Sequence, residues 1–277
     1  MLLLAVVVAC SQTLYITLFQ WVGLSQTNRQ LLTTSSVSTV PEWITLSLLL
    51  FLLYLVLVFL LRKFADQPER ETRAVRTVLA VALLFRVTVV WMAPVLSDDL
   101  YRYRWEGMLQ AEGGNPYEVA PDDPAWRHLR DVTYQRIPIR DYPGGYGPLT
   151  MLAERLAYAA AAMFTLDPWE QAMGMKLPAI LADLLVMGLL LGWLRQRGRP
   201  RVWVAVYALC PLAVIEFWGM GHNDALALAF LVGAFWALDA RREGLGFLLL
   251  AGAIAVKWWP ALLLPVAIGL PRDKDKG

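Results

Sequence analysis

The chain has 277 residues, 58% of them hydrophobic and 17% charged, with a mean hydropathy of +0.48; an apolar composition gathered in bilayer-length runs excludes a soluble domain and identifies an integral membrane protein. The formal net charge is only +2, and its basic residues lie between the apolar runs rather than on one patch, which excludes nucleic acid as a partner. Cys10 and Cys210 both fall inside apolar runs, which argues against a disulfide framework and against a cysteine-based metal site.

Apolar segments occupy about 2–24, 43–61, 77–96, 177–194, 202–218, 225–238 and 245–270. They predict an all-α membrane protein of about seven transmembrane helices, forming one membrane domain over 1–277. The opening "MLLLAVVVAC" resembles a signal sequence, but no basic residue precedes it and further spans follow, so a retained first span is expected. Arg62, Lys63, Arg70, Arg73 and Arg76 crowd one connection, Arg195, Arg197, Arg199 and Arg201 a second, and Arg241 and Arg242 a third. The positive-inside rule assigns all three to the cytoplasm. The connection 97–176 then becomes a long external loop carrying short surface helices, and the "GMGHND" turn at 219–224 lies on the same side.

Within that loop, Leu100–Ala111 reads as a short helix, and "NPYEVAPDDP" and "DYPGGYGP" read as an ordered, turn-rich cap. Leu149–Phe164 is apolar but short for a span and carries Glu154 and Arg155; it is expected as a membrane-surface or re-entrant helix. The last segment holds Lys257, two tryptophans and Pro260, the pattern of a helix broken at a polar site.

Asp98 and Asp99 mark the outer end of the third segment. One of them would suffice as a helix cap, whereas two carboxylates with Arg102 and Arg104 a turn later can hold a base beside cations. Direct continuity with the span favours Asp98 as that base. His222, Asn223 and Asp224 in "GHND" fit either a turn with a helix cap or a polar site. A lone His–Asp pair is weak evidence for a metal, and a divalent metal stays open. Lys257 either snorkels to the interface or neutralises a lipid-borne phosphate. Arg86, Asp183 and Glu216 are intramembrane charges, which pair or line a cavity. Most of the aromatic residues suit interfacial belts, while Trp105, Tyr117, Tyr142 and Tyr146 are placed to stack on a sugar.

The ordered set "SDDLYRYRWEG…GGNPYE", "YPGGYGPLT", "KLPAILADLLVMGLLL", "CPLAVIEFWGMGHNDAL" and "AVKWWPALLLPVAI", over about residues 75–270, resembles the GT-C class of membrane glycosyltransferases. The nearest groups are the bacterial polyprenol-phosphate-mannose-dependent mannosyltransferases and the first mannosyltransferase of glycosylphosphatidylinositol-anchor assembly. The resemblance implies transfer of a sugar, mannose, from a polyprenyl-phosphate donor to a glycan or glycolipid acceptor. It places the active site on the external face of the bacterial cytoplasmic membrane. It also implies a catalytic acid at Asp98 or Asp99, and substrate or donor-phosphate contacts at His222, Asn223, Asp224 and Lys257. The chemistry agrees, since such a transfer needs a base for the acceptor hydroxyl and cations for the departing phosphate, roles open to the aspartates and to Arg102, Arg104 and Lys257. Members of this class usually carry more spans after the last stretch. Two other readings therefore stand beside transfer: a non-catalytic, truncated assembly subunit, and a lipid or solute transporter using Arg86, Asp183 and Glu216.

Overall fold

The computed structural model describes residues 2–27, 40–94 and 97–269, and every described element is helical. Val95, Leu96 and Leu270, the ends of two expected segments, lie outside the described residues. The long helices come first: α1 (Leu2–Thr27), α2 (Val40–Leu61) and α3 (Pro68–Val89). α1 packs on α2 and α3, with Tyr15 against Phe85 at 4.8 Å and Gln12 donating to Thr88 at 2.7 Å. α3 begins well before the expected position 77. Pro68 fits the first helical turn, and Glu69 and Glu71 favour the positive end of the helix dipole, so charged residues extend the helix beyond its apolar part.

After the loop helices α4 (Asp99–Ala111), α5 (Pro148–Phe164) and α6 (Pro168–Gly174) comes the long α7 (Leu177–Gln196). The segment expected as one span over 202–218 is broken. It contains α8 (Ala205–Ala208), α9 (Pro211–Ala213) and a π-helical turn, Val214–Gly219, and the two halves meet at 57°. Pro211 explains the break: it has no N–H to donate, and it holds Cys210 in the extended region.

Two antiparallel helices follow, α10 (Asp224–Asp239) and α11 (Glu243–Val256), and α12 (Leu264–Gly269) ends the described chain. The break in the last segment falls at Lys257 itself, whose backbone is extended at φ −142°, while Pro260 opens a separate 3-10 turn. Leu263, Leu264 and Ala267 join the same apolar cluster as Leu250 and Ala253, so the chain turns at Lys257 rather than running straight on. Among the described residues, three helical stretches are long and apolar enough to cross a membrane: Leu2–Gln20, Pro41–Phe64 and Pro168–Gln196. The bent pair over 201–219 makes a fourth if it counts as one span.

The deepest polar feature joins three of these elements. Arg86 of α3 and Asp183 of α7 are both fully buried, 2.7 Å apart. Arg86 also donates to the Ala82 and Ala208 carbonyls, and Asp183 accepts from Tyr207 at 2.7 Å and from Trp218 at 2.9 Å. Each oxygen of the carboxylate thus has two donors. These are two of the three charges a transport pathway would use, and here they are closed off by one another.

The two ends of the bundle differ in character. At one end Glu71 of α3 accepts from Arg201, and Arg197 pairs with Asp239, the last residue of α10, which gathers all three basic turns. α3 is 22 residues long, so its other end lies about 33 Å away, and there Lys176 donates to the carbonyls of Val90 and Met92.

Removing one partner of a buried, saturated ion pair strands the other charge, at a cost of about 3–5 kcal/mol. Asp183→Ala is therefore expected to lower the thermal unfolding midpoint of the detergent-purified protein strongly, whereas Arg197→Ala, whose side chain is 61% exposed, should move it little. Equal midpoints for Asp183→Ala and wild type would contradict the hub.

Candidate active site

The site is assembled from four chain segments at the end remote from the basic turns. Asp99 begins α4, at the positive end of its dipole. Neither aspartate acts as a cap, since no side-chain bond from Asp98 closes the helix start and Ser97 accepts from the Asp99 N–H instead. The two carboxylates have different partners. Asp98 is held by Arg136 of the loop, at 3.0 Å from Nε and 2.5 Å from Nη2. One oxygen of Asp99 faces the hydroxyls of Tyr103 and Tyr146, each at 3.4 Å, and His222 Nε2 at 3.8 Å. A third of the Asp99 side chain stays accessible.

His222 is positioned by the broken segment. The π-helical turn carries Glu216, whose carbonyl accepts from the His222 N–H at 2.9 Å and whose carboxylate lies 2.6 Å from His222 Nδ1. Gly221, at φ +77°, makes the reversal that brings the imidazole back over that turn, a conformation open to glycine. Glu216, His222 and Asp99 thus form a continuous line. Burial disfavours the charged imidazolium, but the Glu216 hydrogen bond and the charges of Glu216, Asp99 and Asp224 outweigh it and raise the His222 pKa above its ordinary value.

Lys257 reaches the same place from the end of α11. Its ammonium is 2.7 Å from Asp224, the first residue of α10, and 5.1 Å from the centre of the Tyr146 ring. The "YPGGYGPLT" stretch is bolted to that helix end: the Gly147 N–H and the Thr150 hydroxyl both donate to the Val256 carbonyl, at 3.0 and 2.9 Å. A side chain on Gly147 would overlap the Ala255 carbonyl, so this approach requires glycine. Tyr117 closes the loop over it, its hydroxyl donating to the Tyr146 carbonyl at 3.0 Å. Burial and the neighbouring Asp99 push the Tyr146 phenol up to about 12, and burial likewise raises Tyr103, so both remain donors to Asp99.

Behind this face lies a second acidic pair. Glu154 of α5 is buried, accepts from Asn223 at 3.3 Å, and has a second oxygen without a partner, as does Glu106 of α4. Burial and the adjacent Glu106 raise the Glu154 pKa well above the carboxylate range, against the opposing pull of Arg102 and Asn223. A raised pKa favours the neutral Glu154 acid, whose O–H is a donor that a carboxylate lacks.

The structure brings Asp99, His222, Asp224, Lys257 and Tyr146 together, with Asn223 just beneath. It sends other expected residues elsewhere. Arg102 is buried and spends its guanidinium on Glu106 (2.5 Å) and the carbonyls of Ile139 (3.0 Å) and Tyr142 (2.9 Å). Arg104 is equally engaged, with Gln171, Thr133 and Asp131. Both arginines staple the loop to α4 and have no face left for a donor phosphate. Trp105 is 1% exposed inside an apolar cluster, so it cannot stack on a sugar. Tyr117 and Tyr142 are exposed. No group of three or more histidine, cysteine, aspartate or glutamate side chains suited to a metal ion is found among the described residues.

Helical spacing could have found Tyr103, one turn after Asp99. Glu216 precedes His222 by six residues, a separation that only the π-helical turn and the Gly221 reversal convert into contact. Arg136 carried no sequence signal.

A family model described as "Alpha-(1->6)-mannopyranosyltransferase, N-terminal domain" matches residues 4–271. The chain belongs to this mannosyltransferase family. It is also 27% identical, over 188 residues and 65% of its length, to alpha-(1->6)-mannopyranosyltransferase A of Mycobacterium tuberculosis (strain ATCC 25618 / H37Rv). The match spans 35% of that relative, about a third of its length. No solved structure matches. Membership in a membrane glycosyltransferase family accords with the resemblance drawn from the motifs and with the apolar helices.

Because Glu216 is the main partner that favours the charged His222, Glu216→Gln should lower the imidazole pKa. The stabilisation from charging His222 is fully present below its unfolded value of about 6.5 and is lost as pH rises through the higher folded value. With His128 as the only other histidine, titration of the imidazole resonances reads this directly. An unchanged His222 midpoint in Glu216→Gln would refute the pairing.

Proposed function

We propose that the chain carries the catalytic face of a mannosyltransferase that moves mannose from a polyprenyl-phosphate donor to a glycan or glycolipid acceptor, on the external side of the bacterial cytoplasmic membrane. The observation that carries this reading is the convergence of Asp99, the His222–Glu216 pair and the Lys257–Asp224 pair at one end of the bundle. The family match supports mannosyl transfer, and the convergence supplies groups for its two demands.

In this reading Asp99 is the base. It is partly accessible and faces two phenol donors and the His222 imidazole, and in this role it takes the proton of the acceptor hydroxyl as that oxygen attacks the sugar carbon. The bond from that carbon to the phosphate oxygen breaks, and the leaving phosphate gains negative charge. Lys257 turns from Asp224 to meet it as the transition state acquires oxocarbenium character, and His222, in its protonated form, adds to that positive charge. Asp98 remains with Arg136 and orders the loop. Tyr117, Tyr142 and Tyr146 offer ring faces to the sugars.

The seven apolar segments cross the membrane, with the basic turns in the cytoplasm and the site outside. α10 and α11 measure only about 24 and 21 Å, against a hydrocarbon core of about 30 Å. With their basic ends at the cytoplasmic edge of that core, their site-side ends stop about 6–9 Å inside its external edge, so a lipid-borne phosphate must dip into a polar recess to reach them. α5 lies along the surface: Leu156, Met163 and Phe164 are 61%, 81% and 88% exposed, an apolar edge for lipid.

A positioned base contributes about a hundredfold to ten-thousandfold in rate. Membranes bearing the chain, supplied with labelled polyprenyl-phosphate mannose, are expected to transfer label. Asp99→Asn should abolish transfer at unchanged folded yield, and Asp98→Asn should weaken it less. Near-normal turnover by Asp99→Asn would remove this base, and no transfer by the wild-type chain would favour the assembly-subunit reading.

A further inference from the structure

The basic turns at the end remote from the site enclose an open cavity of about 620 Å3, whose polar lining is Arg62, Lys63, Arg199 and Asp66, with Trp203 at its wall. Three cations thus face one carboxylate. None of the three has an ion-pair partner among the described residues, because the pairs in this region belong to neighbours, Arg201 with Glu71 and Arg197 with Asp239. Arg62 lies over the Phe59 ring at 3.9 Å, which orients its guanidinium and leaves its N–H groups available. The walls are fixed to one another: Glu71, in the first turn of α3, accepts from both the backbone N–H and the guanidinium of Arg201, which pins the turn 199–203 against α3.

We propose that this cavity binds the phosphate headgroup of an anionic phospholipid. Three unpaired cations around one space are matched by a group with several acceptor oxygens and a negative charge. The surroundings select a lipid over free phosphate. Arg62 and Lys63 directly continue α2, which has membrane length, and Leu52, Leu55 and Phe59 below them are 60%, 59% and 57% exposed, an apolar path for acyl chains. Trp203 is half-exposed at the same level, where an indole suits the interface. The lipid would fill the gap between the α2–α3 turn and the turn after α7, and so join two parts of the bundle.

Native mass spectrometry of the detergent-purified chain, titrated with phosphatidylglycerol or phosphatidylcholine, tests this. Wild type should retain phosphatidylglycerol in preference. Replacing Arg62, Lys63 and Arg199 with Gln should weaken that retention by about fivefold per cation and leave phosphatidylcholine unchanged. A control in which Arg73, Arg76 and Arg195 become Gln removes equal charge from the same end and should behave as wild type. If the triple cavity variant does not fold, Arg199→Gln alone is expected to show one such step. Equal weakening in the control would mean diffuse surface charge, and displacement of phosphatidylglycerol by equimolar inorganic phosphate would mean a free-anion site; either result overturns the proposal.

Discussion

The fold depends on how the protein interior deals with Arg86. A guanidinium there is tolerable only with a full set of acceptors, and Asp183 with the Ala82 and Ala208 carbonyls provides them. Because Asp183 also takes the Tyr207 hydroxyl and the Trp218 indole, one carboxylate fixes α3, α7 and both halves of the broken segment. Trp218 is two residues beyond Glu216 on the π-helical turn. The buried pair therefore sets the position of a residue that reaches the site, and the rigid interior and the polar face are one construction.

The same economy governs the loop. The chemistry of a departing phosphate opened a role there to Arg102 and Arg104, yet both are engaged in holding the loop to α4. Their work is to present Asp99 and Tyr146 at fixed positions rather than to touch a substrate. The close contact of Gly147 with the end of α11 does the rest, carrying Tyr146 to Lys257. A candidate site built from four distant segments is thus held by backbone contacts that leave its Asp99 carboxylate partly accessible.

Much of this was legible in sequence. The apolar runs gave the helices, the Asp98–Asp99 pair and "GHND" marked the polar end, and the ordered motifs pointed to the family that the match over 4–271 establishes. What stayed hidden depends on long-range geometry. Composition cannot distinguish Asp98 from Asp99, because their difference lies in Arg136, nearly forty residues away. Trp105 stood among the sugar-stacking candidates by its place in the loop, but its side of α4 faces the loop core. The segment 202–218 was expected whole, although Pro211 interrupts it, and no residue pattern demands the π-helical turn that follows.

The most direct measurement is a structure of the chain in lipid nanodiscs with a short-chain polyprenyl-phosphate mannose analogue. The account predicts the phosphate within hydrogen-bonding distance of the Lys257 ammonium, the sugar between Tyr146 and Asp99, and the lipid tail running down between helices from that end. An analogue whose phosphate binds among the basic turns, or anywhere beyond reach of Lys257 and Asp99, would contradict it.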